Sequence, residues 1–116
     1  MAPSAEECDV LGIIEQFAGT LEEQGTHVAK IILFGSYAAG RHRNGSDIDL
    51  VVISEDFAGK DYWERLDIIV NAVYEVWKPI EARALTPLEW ERGESMIVKL
   101  AKDGEVVYEA QRVTSE

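Results

Sequence analysis

One cysteine, Cys8, occurs in the whole chain, so no internal disulfide can form and no paired thiolates can hold a metal. Long apolar runs are missing too. Ile31 to Phe34 and Leu50 to Ile53 fall far short of the roughly 20 residues that span a bilayer, so no membrane anchor is expected. Residues 1–7, Met-Ala-Pro-Ser-Ala-Glu-Glu, carry neither the basic nor the apolar region of a secretory signal, and a cytoplasmic location is the expectation. Positive charge is scarce: 11 Lys and Arg stand against 22 Asp and Glu, a net charge of −11. That balance speaks against salt-driven binding to nucleic acid. A phosphate-bearing ligand must therefore be met locally, by a metal ion, backbone amides or a small basic patch, and a basic protein partner is electrostatically suited. Plain solubility also explains such acidity. Neither G-x-x-x-x-G-K-[ST] nor G-x-G-x-x-G is present, which removes a P-loop and a dinucleotide-binding turn from consideration.

What remains is ordinary in amount. At 116 residues with 47% hydrophobic and 28% charged side chains, the chain has the size and composition of one globular domain spanning 1–116. Apolar residues at Val10, Leu11, Ile14, Phe17, Ala18 and Leu21 trace one helical face over residues 4–24, opened by a Ser4/Glu7 capping pattern and stopped at Gly25. Residues 28–34 are a β-branched apolar run, read as a buried strand. Residues 39–46 are a glycine-containing connector, and a second strand spans 47–53. A polar loop is expected over 54–60. A helix over 61–77 shows Tyr62, Leu66, Ile69, Val70, Val73 and Trp77 on one face, and Pro79 closes it off. Residues 80–85 alternate like a half-buried strand. Thr86-Pro87-Leu88-Glu89 opens a further helix running to about Lys102, weakened at Gly93. After Gly104 a short strand is expected over 105–109, and the tail 111–116 should fray. The order α-β-turn-β-α-β-α-β, without repeats, predicts an α+β two-layer fold.

Chemistry concentrates in residues 35–50. Asp47 and Asp49 are two apart on an extended chain, so both point to one face, roughly 7 Å apart along it. Two carboxylates so placed repel one another and suit a hard divalent cation such as Mg²⁺. Gly35 lets backbone lie against a phosphate, and Ser36 adds a hydroxyl and an amide near the start of a helical turn. Such a seat opposite a metal site would grip a nucleoside triphosphate and orient its α-phosphorus, with divalent ions stabilising the attacking and leaving oxygens.

Phe34-Gly35-Ser36, with ten residues between Ser36 and Asp47-Ile48-Asp49-Leu50, resembles the Gly-Ser-x10-Asp-x-Asp signature of the polymerase β nucleotidyltransferase superfamily. In length the chain is similar to the minimal nucleotidyltransferases often encoded beside HEPN-domain toxins. The motif covers residues 34–53, and the order of elements extends the likeness over most of the chain. The resemblance implies a small mixed sheet with helices packed on one side, and transfer of a nucleoside monophosphate, usually AMP from ATP, to a hydroxyl with release of pyrophosphate. It also implies a third carboxylate on a neighbouring strand, matched here by Glu81, and two Mg²⁺ ions held with Asp47 and Asp49. Two departures stand out. Glu81 occupies a position where the family more often has Asp, and Ala39 one where many relatives have Arg; Arg41 and Arg43 are the available substitutes for that guanidinium.

Each residue also has a plainer reading. Asp47 and Asp49 could be a solvated strand start, but that leaves the Gly-Ser turn unexplained. Alternation alone would put a charge at Glu81, and loops such as that of Arg41 and Arg43 are often basic. His27 and His42 read as surface residues, Trp63, Trp77 and Trp90 as core or partner-facing residues, and Glu89, Glu91, Glu94, Asp56, Asp61 and Asp67 as solvated positions. The leading expectation is an enzyme with catalytic Asp47, Asp49 and Glu81 and nucleotide-binding Gly35, Ser36, Arg41 and Arg43, which adenylylates a Tyr of a HEPN-type toxin and so acts as the antitoxin. The other readings are a non-catalytic module of the same fold that neutralises a partner by contact, and a small-molecule nucleotidyltransferase of the aminoglycoside type. Homo-oligomer and hetero-oligomer both stay open.

Overall fold

The central strand explains the run of apolar residues at 50–53. A computed structural model of the chain describes residues 5–35, 47–93 and 95–110. Its four strands are β1 (Lys30–Phe34), β2 (Ile48–Ile53), β3 (Ile80–Leu85) and β4 (Glu105–Glu109), hydrogen-bonded in the order β3-β2-β1-β4. β2 is antiparallel to β1 and parallel to β3, while β4 pairs antiparallel with β1 across a bulge between Ile31 and Ile32. Side chains alternate across the sheet. Ile48, Leu50 and Val52 therefore join one apolar cluster, and Val51 and Ile53 join another on the opposite face. Having both faces covered, β2 shows no polar residue after Asp49.

Helices α1 (Ala5–Glu23) and α2 (Tyr62–Val76) cover the first face. α1 contributes Ile14, Phe17, Ala18 and Leu21, all fully buried, each large side chain stabilising the fold by about 1.5–3 kcal/mol. It ends in paired bonds from the Gly25 and Thr26 amides back to the Glu22 and Leu21 carbonyls, which satisfy the last turn. α2 provides the crossover that a parallel β2–β3 pair requires. Its start is a complete capping box between Asp61 and Glu64, so Asp61 is a cap rather than a merely solvated residue. No described helix is long and apolar enough to cross a membrane.

The expected helix over 86–102 is two helices, α3 (Pro87–Arg92) and α4 (Met96–Ala101). The Thr86/Glu89 capping box forms as expected. Gly93, at φ +67°, takes a left-handed cap that an L side chain resists, and Ser95 starts α4 afresh by accepting from the Val98 amide. α4 lays Val98 and Ala101 over Ile32, Val51, Ile53 and Leu85, covering part of the second face. The supposed polar loop after β2 likewise holds a 3₁₀ turn at Glu55–Phe57 with Phe57 fully buried. Ser54 Oγ donates to the His27 carbonyl, and the His27 amide donates to Asp56 Oδ2 at 2.8 Å. Asp56 therefore straps two loops together, and the plain surface reading of it is corrected.

Candidate active site

The second face of the sheet is apolar under α4 and acidic beyond it. Along β2, Ile53 and Val51 lie in the apolar cluster, and the next residue on that face is Asp49. In the parallel register Asp49 stands directly opposite Glu81, and in the antiparallel register opposite Phe34. The half-buried Asp49 carboxyl contacts that of Glu81. Its pKa is raised, first by burial, then by a hydrogen bond to Glu81 and by the negative charges of Glu81 and Asp47, with Arg83 opposing. Asp47 is exposed just before β2 and acts on Asp49 through its charge. Such mutual repulsion costs stability unless a cation or a proton relieves it.

Gly35 closes the site from the end of β1. At φ +75°, a Cβ there would overlap Asp49 Oδ2 and stand 3.0 Å from its Cγ. Only glycine lets the chain turn against that carboxylate. Of the residues singled out by sequence, Gly35, Asp49 and Glu81 thus come together, with Asp47 at the margin. Ser36, Ala39, Arg41 and Arg43 lie outside the described residues.

Arg83 was not anticipated. It is exposed, two residues beyond Glu81 on the same face of β3, and its charge reaches Asp49. The alternation of residues 80–85 carried that information, since it puts positions 81 and 83 on one side. The sequence places Glu89 on a solvated helix face, whereas the structure engages it. Its carboxylate takes two bonds from Arg65, at 2.8 and 3.2 Å, and one from the Thr86 amide. The Arg65 bond, foremost, lowers the pKa of Glu89 against the opposing effect of burial.

Residues 14–107 match the model of the nucleotidyltransferase domain family. The chain belongs to that family. Among solved structures, this nucleotidyltransferase domain resembles a protein from Sulfolobus solfataricus assigned as a nucleotidyltransferase, with a TM-score of 0.69 at 17% identity over 94% of this chain and 90% of that one. It also resembles a toxin–antitoxin structure with AMP-PNP, with a TM-score of 0.58 at 21% identity over 87% of this chain and 74% of that one. A third likeness is to the complex of a tri-AMPylated Shewanella oneidensis HEPN toxin with its MNT antitoxin, with a TM-score of 0.53 at 18% identity over 84% of this chain and 71% of that one. At these identities the likeness is one of fold. No curated protein matches the chain.

Among the described residues no three metal-ligating side chains are gathered round one point. The chemistry of the donors nonetheless fits a hard divalent cation. Asp49 and Glu81 offer carboxylate oxygens in contact, burial and the neighbouring negative charges make ionisation of Asp49 costly, and a doubly charged ion offsets both effects.

Proposed function

We propose that this nucleotidyltransferase domain transfers AMP from ATP to a hydroxyl of a protein, a Tyr of a HEPN-type toxin, and thereby serves as the antitoxin. The observation that carries the reading is the contact of Asp49 with Glu81 against the glycine turn at Gly35. The toxin described as AMPylated in one structural relative supports a protein acceptor, and AMP-PNP in another supports an adenine nucleotide.

Asp47, Asp49 and Glu81 would hold two Mg²⁺ ions. When bound, these supply positive charge to the triphosphate and to the attacking and leaving oxygens. The backbone at Gly35 and the Ser36 amide and hydroxyl seat the phosphates, assisted by Arg41 and Arg43. Arg83 adds positive charge on the face of β3 that carries Glu81. The acceptor oxygen attacks the α-phosphorus, its proton passes to the Glu81 carboxylate, the bond from that phosphorus to the β-bridging oxygen breaks, and pyrophosphate leaves. The longer side chain of Glu, where relatives more often have Asp, adds reach toward that proton.

Incubation with labelled ATP, Mg²⁺ and the protein encoded beside this one should label that protein. An Asp47→Asn/Asp49→Asn double variant should transfer no label, and a partner with its acceptor Tyr changed to Phe should receive none. Label transfer by the double variant would exclude the mechanism. Tight partner binding without Mg²⁺-dependent ATP binding would leave a contact-only module instead.

A further inference from the structure

Strand β3 ends the sheet on one side, and among the described residues no strand pairs with its outer edge. The backbone groups of successive strand residues point to opposite sides. The Pro79 and Leu85 carbonyls accept from the Ile48 and Ser54 amides, so the odd positions of 79–85 face β2, and Ile80, Ala82 and Ala84 face outward. Two of the outward groups are already engaged. The Ala84 carbonyl accepts from Arg65 at 3.3 Å, and the Ile80 amide donates to the Lys78 carbonyl at 2.8 Å. The Ile80 carbonyl, both groups of Ala82 and the Ala84 amide are left at the open edge. Edge strands are commonly shielded by a proline, a lysine or a bulge. None of these interrupts Ile80–Leu85.

The open groups suit the same strand turned round. Antiparallel pairing about a two-fold axis through Ala82 sets Ala82 opposite Ala82, Glu81 opposite Arg83, and Ile80 opposite Ala84 of the other copy. The two Ala82 residues exchange both of their bonds, and each Ala84 amide meets an Ile80 carbonyl. The remaining bond of such a ladder, from the Ile80 amide to the Ala84 carbonyl, would join two groups that the single chain already satisfies. Glu81 and Arg83, both exposed, fall at non-hydrogen-bonded positions, where side chains come closest across a pair of strands. Neighbouring registers lack these features. An axis through Glu81 or Arg83 opposes like charges, and one through Ala84 calls on its engaged carbonyl and sets Arg83 against Leu85. Charge selects a second copy here through the register of one strand, not through the net sign of a surface.

That axis is perpendicular to the sheet, so each face stays on its own side. Helix α2 of one copy then adjoins α2 of the other along the groove of about 490 Å³ between α2 and β3, which Val70, Tyr74 and Trp77 line. We infer that two copies of this chain pair through β3 into one continuous sheet, with four strands from each copy, and that each candidate active site receives Arg83 of the second copy beside its Glu81.

Sedimentation of the full chain over a range of concentrations reads the dimer, and hydrogen exchange reads the surface that forms it. The wild type should sediment with the mass of two chains, and the Ala82 and Ala84 amides should become protected as the dimer forms. Ala82→Pro removes an amide that faces away from β2, so the β2–β3 ladder is spared. That variant should fold and dimerise at least ~10-fold more weakly. Arg83→Glu sets acid opposite Glu81 of the other copy and should weaken the dimer by ~10-fold or more. Glu81→Arg/Arg83→Glu exchanges the two charges and should restore it, a comparison that does not depend on how Ala82→Pro folds. A wild-type chain that is monomeric throughout, its edge left to a strand of another protein, would overturn the inference. So would a dimer whose Ala82 amide exchanges freely, one indifferent to Arg83→Glu, or one that the charge exchange does not restore. None of these outcomes requires nucleotide, so they stand whether or not the proposed transfer reaction does.

Discussion

At Gly35 and Asp49 the backbone and a carboxylate occupy space that a single methyl group would close. Gly35→Ala adds both that overlap and the left-handed strain of an L residue, together about 1–3 kcal/mol of destabilisation, read as a lower melting temperature. Mg²⁺-nucleotide binding should fall further than stability, because the displaced group is Asp49. Asp49→Asn should do the opposite to stability. The folded-state pKa of Asp49 is raised from 3.8, so its protonated form is favoured in the folded protein. The associated stability is full below that value and lost as pH rises through the folded pKa. In EDTA at neutral pH the Asn variant should therefore be more stable than wild type, on the order of 1 kcal/mol, with the difference vanishing in strong acid. Thermal denaturation at both pH values checks this. Spacing alone pointed to Gly35, Asp47 and Asp49, since each owes its place to a short stretch of chain. It could not tell that Asp49 would be half-buried against Glu81, because that contact is made by β2 and β3 pairing across the intervening helix.

Elements set the limits of what periodicity reveals. α2 reads as one amphipathic face, yet the structure buries Ile69 and leaves Val70 and Trp77 in solvent, because the apolar residues of this helix span more of its circumference than the core covers. The break between α3 and α4 had its signal in Gly93, which as a cap carries more weight than as a weak interior residue. Glu89 shows the opposite failure. Its sequence neighbours make it look solvated, while Arg65, 24 residues away, binds it through both carboxylate oxygens. That pair and the capping box join α2 to α3. The lowered pKa of Glu89 means its stabilisation is present above about 4.5, the ordinary value for a glutamate, and lost as pH falls through the lower, folded value. Glu89→Gln should lower stability by about 1–2 kcal/mol at neutral pH and flatten the acid limb of the stability profile. An unchanged acid limb would show that the Arg65 contact contributes nothing to it.

Across the whole molecule, β-branched runs located the two central strands, alternation the third, the stop at Gly104 the fourth, and caps the long helices, since all of these are local signals. Strand order was not local, and neither was the meeting of Gly35, Asp49 and Glu81 at the end of the sheet beyond the apolar cluster under α4, where the acidic residues begin. A protein at −11 attracts divalent cations generally, so the account turns on whether they act at this point. Calorimetric titration with AMP-PNP tests it most directly. The wild-type chain should bind the nucleotide only with Mg²⁺ present, and Asp49→Asn and Glu81→Gln should each abolish that binding while remaining folded. Undiminished Mg²⁺-dependent binding by both variants would contradict the account.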